Sequence, residues 1–176
     1  MTAEEVYTKV LAWSEKYDKE LYEMLSSDKE YAVNILSIGR GGAKPRKDLT
    51  VWTDVKPYIE LFYDDHFEIK DAIPENFSKE DIKNILSDFV SVYDNNDGQD
   101  VWFEKIKEIS EKNGFCKDVK QFKKDPGDYK GHVGDVSMFL RIAVTGKMNS
   151  PDMYEVMKLL GGDKVIARIK TYTDSI

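Results

Sequence analysis

Apolar residues recur along most of this chain at intervals of three and four, the spacing of one face of an α-helix. Val6, Val10, Trp13, Tyr17, Leu21 and Leu25 form the first such stripe. Thr2 ahead of it, with Glu5 three residues on, has the composition of a capping box. A second, shorter helix is expected from about Asp28, with Tyr31, Ala32, Ile35 and Leu36 turned inward, ending at Gly39. A third is expected from about Thr53 to Asp65, where Pro57 is tolerable because it falls near the first turn. Ser78 and Asp81 then open a helix carrying Ile82, Ile85, Leu86, Phe89 and Val92, and Asp100 another carrying Val101, Trp102, Ile106 and Ile109. From Asp135 to Thr145 the chain reads as a short, very apolar helix. Ser150-Pro151 has the form of a cap followed by proline at the first helical position, and Asp163 begins the last helix after Gly161-Gly162.

The intervening stretches carry the residues that break regular structure. Glycines 39, 41 and 42 with Pro45 make the segment from Gly39 to Lys47 a loop, and Asn95-Asn96-Asp97-Gly98 a turn. After Gly114 a polar, lysine-rich loop runs through Pro126, Gly127, Gly131 and Gly134. No stretch alternates apolar and polar positions as a half-buried strand would. The expected fold class is therefore all-α, as two packed helical bundles. The first spans residues 1–75 and the second 76–176, with the boundary in the stretch around Pro74.

A chain of 176 residues suffices for one domain or two small ones sharing a core. With 41% hydrophobic and 34% charged residues it has the composition of a folded, helix-rich protein. No apolar run approaches the ~20 residues of a membrane span, and the first residues lack the basic and apolar regions of a secretory signal. Cys116 has no partner for a disulfide, and His66 and His132 lie far apart without ligand spacing, so no metal site is expected. These features imply a cytoplasmic protein with no membrane partner.

The net charge of −7 and the sequence pI near 5.0 argue against sequence-blind binding to nucleic acid, DNA included. The positive charge is nevertheless clustered. No acidic residue occurs from Tyr31 to Lys47, which includes Arg40, Lys44, Arg46 and Lys47. From Lys112 to Gly134 six lysines, Lys123 and Lys124 among them, face three aspartates. These are two positive islands on an acidic body, and a charge run of this kind is either a solvated face or a phosphate contact. Catalytic patterns are absent: the glycines at 39, 41 and 42 do not complete a phosphate-binding loop, and Cys116 reads as a small packed residue.

The closing third carries a longer pattern. It consists of Leu140-Arg141-Ile142-Ala143-Val144-Thr145-Gly146, then Ser150-Pro151-Asp152-Met153, an apolar helix ending at Leu160-Gly161, and Ala167-Arg168-Ile169. This resembles the C-terminal region of bacterial glutamyl-tRNA synthetases. Upstream, Arg46-Lys47-Asp48-Leu49 and Phe62-Tyr63-Asp64-Asp65 are similar to two looser segments of the same family. The resemblance implies an all-helical fragment that binds the anticodon loop of glutamate tRNA. The parent enzyme would attach glutamate to that tRNA, and the catalytic domain would lie elsewhere on the same polypeptide.

Family positions for anticodon contacts fall on Arg141, Ser150, Pro151, Met153 and, in the looser segment, Arg46. From the two positive islands, Arg40, Lys44, Lys47, Lys123 and Lys124 are weaker candidates for phosphate contacts. The resemblance also draws attention to two stretches like the family's ATP signatures. In His132-Val133-Gly134-Asp135 an acid stands where a histidine should meet phosphate, and Lys147-Met148-Asn149-Ser150-Pro151 lacks the second lysine. No cofactor is therefore expected in this chain; ATP and Mg belong to the parent's catalytic domain. The chain is expected to be inactive alone. A free-standing helical protein-interaction module is the competing reading.

Overall fold

The computed structural model describes residues 1–41 and 49–176. Among them are ten α-helices and no strand, with one isolated bridge between Cys116 and His132. The chain is all-α, as the apolar spacing predicts. It divides into two compact units: Met1–Glu68 with Ser150–Leu159, and Ile69–Asn149 with Leu160–Ile176.

The first unit begins with α1 (Ala3–Tyr17), α2 (Lys19–Ser27) and α3 (Lys29–Ser37), which pack on one another. Thr2 and Glu5 close the expected capping box: the Glu5 amide donates to Thr2 Oγ1 at 3.2 Å, and the Thr2 amide to Glu5 Oε2 at 2.7 Å. The stripe from Val6 to Leu25, which reads as one helix, is two. Asp18 takes the Leu21 N–H at 3.1 Å in place of a carbonyl, ending α1 and capping α2. Tyr17, at the junction, is 72% exposed rather than inward. Asp28 repeats the device for α3, accepting from the Tyr31 amide at 2.9 Å.

The helix expected over 53–65 is also interrupted. Only α4 (Val55–Ile59) is α-helical, with 3₁₀ turns at Trp52–Asp54, Glu60–Phe62 and Asp64–His66. Val55, Ile59 and Phe62 keep the helical repeat, but Leu61 is also buried, off that face, where the chain tightens into the 3₁₀ turn Glu60–Phe62. Tyr31 meets Phe62 and Tyr63 edge to face, with ring centroids 6.3 and 5.9 Å apart. The Tyr63 hydroxyl is buried with no hydrogen-bond partner among the described residues, and burial pushes its pKa up to about 12.

The second unit is organised around one helix. The helices α5 (Lys79–Val92) and α6 (Gln99–Lys112) are followed by α7 (Val119–Lys124) and α8 (Val133–Thr145). α9 (Met153–Leu160) belongs, up to Leu159, to the first unit, and the last helix of the second is α10 (Gly162–Ser175). α8 packs on α5, α6 and α10, so its sides face protein rather than water. This accounts for its nearly continuous apolar sequence, with Val136, Phe139, Leu140, Ile142, Ala143 and Val144 all fully buried. Phe139 meets Phe77 at 4.9 Å and Phe115 at 5.9 Å, both edge to face. Burial of each such ring is worth roughly 1.5–3 kcal/mol. Gly131 is obligatory beside this cluster, because a Cβ there would lie 2.6 Å from Asp135 Oδ2 and 2.9 Å from Phe115.

Candidate nucleic-acid interface

Arg141 lies in the last turn but one of α8 and is half-buried. Its surroundings are set by how the helix stops. Thr145 Oγ1 donates to the Arg141 carbonyl at 2.7 Å and accepts the Lys147 N–H at 3.3 Å. Gly146 follows in the left-handed region at φ 77°, where residues with a Cβ are strained, and its N–H closes onto the Ile142 carbonyl at 2.8 Å. The Gly146 carbonyl accepts from the amides of Lys70 and Asp71, at 2.8 and 3.0 Å. Asp71 Oδ2 in turn accepts from the Met148 amide at 2.7 Å. Arg168, buried at 7% exposure, donates from Nη1 to the Val144 carbonyl at 2.9 Å. The Arg141–Gly146 motif is thus a helix terminus whose orphan carbonyls are answered by Thr145, Arg168 and the 70–71 backbone.

The next motif residues fall in the other compact unit. Ser150 is half-buried and donates from Oγ to the Pro151 carbonyl at 2.8 Å, while Pro151 and Met153 are buried. The expected Ser-Pro helix start is two residues early. Asp152 is the cap of α9, accepting from the Glu155 amide at 3.0 Å. An aspartate oxygen at this position caps as well as serine does, and it ends the turn that Ser150 and Pro151 form. Arg40 sits just past α3, with Nε on the Leu36 carbonyl at 2.6 Å. Lys44, Arg46 and Lys47 lie outside the described residues.

The lysine-rich stretch is more ordered than a loop. Its base is closed by three backbone bonds: Lys130 N–H to the Gly114 carbonyl at 3.0 Å, Cys116 N–H to Gly131 at 2.8 Å, and Val133 N–H to Cys116 at 2.8 Å. Between them stands α7, which the pattern of polar residues conceals. Asp118 caps it, accepting from the Lys120 and Gln121 amides at 2.7 and 2.9 Å. Those hydrogen bonds hold the Asp118 carboxyl below its ordinary pKa.

The lysines of this stretch divide into two sets. Lys112 pairs with Asp88 at 2.7 Å, Lys117 with Glu111 at 2.9 Å, and Lys130 with Asp81 at 2.7 Å. Lys120, Lys123 and Lys124 are exposed on α7 and have no ion pair among the described residues. Residues three and four apart share a helix face, so these three ammoniums project from one side. They can meet an anion without first giving up a carboxylate.

The stretch resembling an ATP signature has a structural role instead. Gly134 N–H donates to His132 Nδ1 at 3.0 Å and His132 N–H to Asp135 Oδ2 at 2.8 Å, so these residues start α8. They do not fit a nucleotide triphosphate, because the ring nitrogen facing the helix accepts a hydrogen bond and the carboxylate would repel phosphate. Among the described residues no group of three His, Cys, Asp or Glu side chains is placed to hold a metal ion. No helix among them is long and apolar enough to cross a membrane. A groove of about 390 Å³ in the second unit is lined mainly by Ala72, Ile73, Pro74, Phe77, Tyr172 and Ile176, and is apolar.

Comparison with known proteins bears on this arrangement. The family described as anticodon binding domain matches residues 20–173. A glutamate–tRNA ligase of Acetivibrio thermocellus is 44% identical over 168 residues, covering 96% of this chain and 31% of the relative. One from Sorangium cellulosum is 44% identical over 98% of this chain and 30% of its own length. Another, from Clostridium perfringens, is 34% identical over 98% of this chain and 32% of its own. The chain thus spans just under a third of each of these three relatives. Matched by the family pattern over most of its length, this chain belongs to the anticodon-binding domain family.

Proposed function

We propose that this chain is the anticodon-binding part of a cytoplasmic glutamate–tRNA ligase. In this reading it grips the anticodon loop of glutamate tRNA, while a catalytic domain of the same polypeptide performs the ATP-dependent attachment of glutamate. The observation that carries this reading is the similarity to glutamate–tRNA ligases along nearly the whole chain. The local chemistry is compatible with it. Anticodon bases are unpaired and can be splayed against apolar or planar side chains and read at their edges. Arg141 supplies a planar donor fork at a helix end whose backbone is otherwise satisfied. Ser150 and the first amides of α9 supply neutral donors and acceptors. Pro151 and Met153, being buried, contribute by shaping that surface. Arg46 is assigned to the third anticodon base. Arg40, Lys44, Lys47, Lys123 and Lys124 are assigned to phosphates.

The test is direct binding together with an activity control. The isolated chain is expected to bind glutamate tRNA more tightly than an unrelated tRNA at one fixed salt concentration. It is also expected to show no glutamate-dependent pyrophosphate exchange. Equal affinity for both tRNAs would remove the anticodon reading and favour a protein-interaction module.

A further inference from the structure

Met148 poses a question that the motif does not answer. Its side chain is 38% exposed, yet the turn that carries it is held by bonds from a distant segment. Asp71, 77 residues away in sequence, accepts the Met148 N–H at 2.7 Å. The amides of Lys70 and Asp71 both donate to the Gly146 carbonyl, at 2.8 and 3.0 Å. Thr145 Oγ1 ties the same turn back to the Arg141 carbonyl and the Lys147 amide. All these residues belong to the second compact unit. Fixing backbone residues costs conformational entropy, so a turn ordered before it meets a ligand spares that cost on binding. The segment is held in one geometry and presents an apolar, polarisable side chain, partly exposed to solvent, seven residues beyond Arg141.

We infer that Asp71 is a positioning residue that holds Gly146–Met148 as a ready-made contact for an unpaired RNA base, with the Met148 side chain as the stacking face. This rests on the tRNA reading proposed above. The base would lie on the thioether. The Asp71 carboxylate is engaged by the Met148 N–H and need not touch RNA.

Four variants of the full chain test this by affinity for the anticodon stem-loop of glutamate tRNA: M148A, D71A, D71N and the double variant D71A/M148A. Removing a stacking face should weaken binding about tenfold in M148A; with 38% of Met148 exposed, the melting temperature should fall only modestly, and affinity is compared at a temperature where both proteins are folded. D71A should weaken it about fivefold, the scale of one lost hydrogen bond. D71N, whose amide oxygen still accepts, should bind as well as the wild type. In the D71A background, M148A should cost less than it does alone, since an unfixed turn no longer offers Met148 in register. M148A with wild-type affinity would overturn the inference while leaving the tRNA reading intact. So would Asp71 and Met148 effects that add in full. Should D71A fail to fold, D71N and M148A still decide the matter. A wild-type chain that ignores the stem-loop would overturn the tRNA reading and this inference with it.

Discussion

Replacing Lys123 and Lys124 with alanine should change how binding depends on salt, by an amount that the ion-pair pattern sets. Both ammoniums are exposed on α7 with no carboxylate partner among the described residues, whereas Lys112 and Lys130 are already paired with Asp88 and Asp81. An unpaired lysine that neutralises one phosphate releases about 0.7–0.9 of a counterion, so two contacts contribute about 1.4–1.8 to the slope of log K against log salt. Extrapolated to about 0.1 M salt, the loss is roughly 25- to 60-fold in affinity. Fluorescence anisotropy of labelled glutamate tRNA, titrated from about 50 to 300 mM salt, reads both quantities. The loss should be equal for an unrelated tRNA, because phosphates carry no sequence. Folding should be little disturbed, each lysine giving up at most the ~0.3–1 kcal/mol that a cation contributes at a helix C-terminus. The control K112A/K130A should leave the slope nearly unchanged. If the two double variants shift the slope equally, or neither does, α7 does not face the RNA.

Three further outcomes follow from particular residues. Tyr63→Phe removes a buried hydroxyl that has no partner and should stabilise the chain by about 1 kcal/mol in urea unfolding. Between the ordinary tyrosine value of 10.0 and about 12, folded Tyr63 keeps a proton that the unfolded chain releases. Its contribution to stability should therefore fall as pH rises through that window, and the fall should be absent in Y63F. Gly146→Ala places a Cβ at φ 77° and should destabilise by about 1–2 kcal/mol, seen as an earlier urea midpoint. Arg46→Gln, which rests on the resemblance alone, should narrow the preference for glutamate tRNA over glutamine tRNA, whose third anticodon base is guanine rather than cytosine. The cytosine ring offers acceptors to a guanidinium, whereas guanine sets donor against donor at a cost of about 1–3 kcal/mol. Paired dissociation constants decide it, and an unchanged ratio with both affinities lowered would make Arg46 a phosphate contact.

Most helices could be read from spacing because their stripes coincide with burial. Ile82, Ile85, Leu86 and Phe89 recur at helical intervals and are all buried. At Asp18 and Asp152 the structure departs from the spacing because a polar side chain competes with the backbone. Asp18 splits an unbroken stripe because its carboxylate is a better partner for the Leu21 N–H than the next carbonyl, and hydrophobic periodicity does not register that competition. Asp152 displaces Ser150 as the cap of α9 in a run where serine, proline and aspartate all favour a helix start. The brevity of α7 conceals it, although Asp118 followed by Val119 and Phe122 three apart is a usable signal. Arg141 and the turn after it were visible as a pattern, but their fixing was not. Asp71 and Arg168 act on the end of α8 from far along the chain, and no local spacing reveals such partners.

The central claim is that this chain recognises an anticodon, and transplanting an anticodon loop tests it most directly. Dissociation constants are measured at one salt concentration for three RNAs: glutamate tRNA, an unrelated tRNA, and that unrelated tRNA carrying the glutamate anticodon loop. If the chain reads the loop, the hybrid should bind nearly as tightly as glutamate tRNA. A hybrid that binds no better than its unmodified parent would contradict the account.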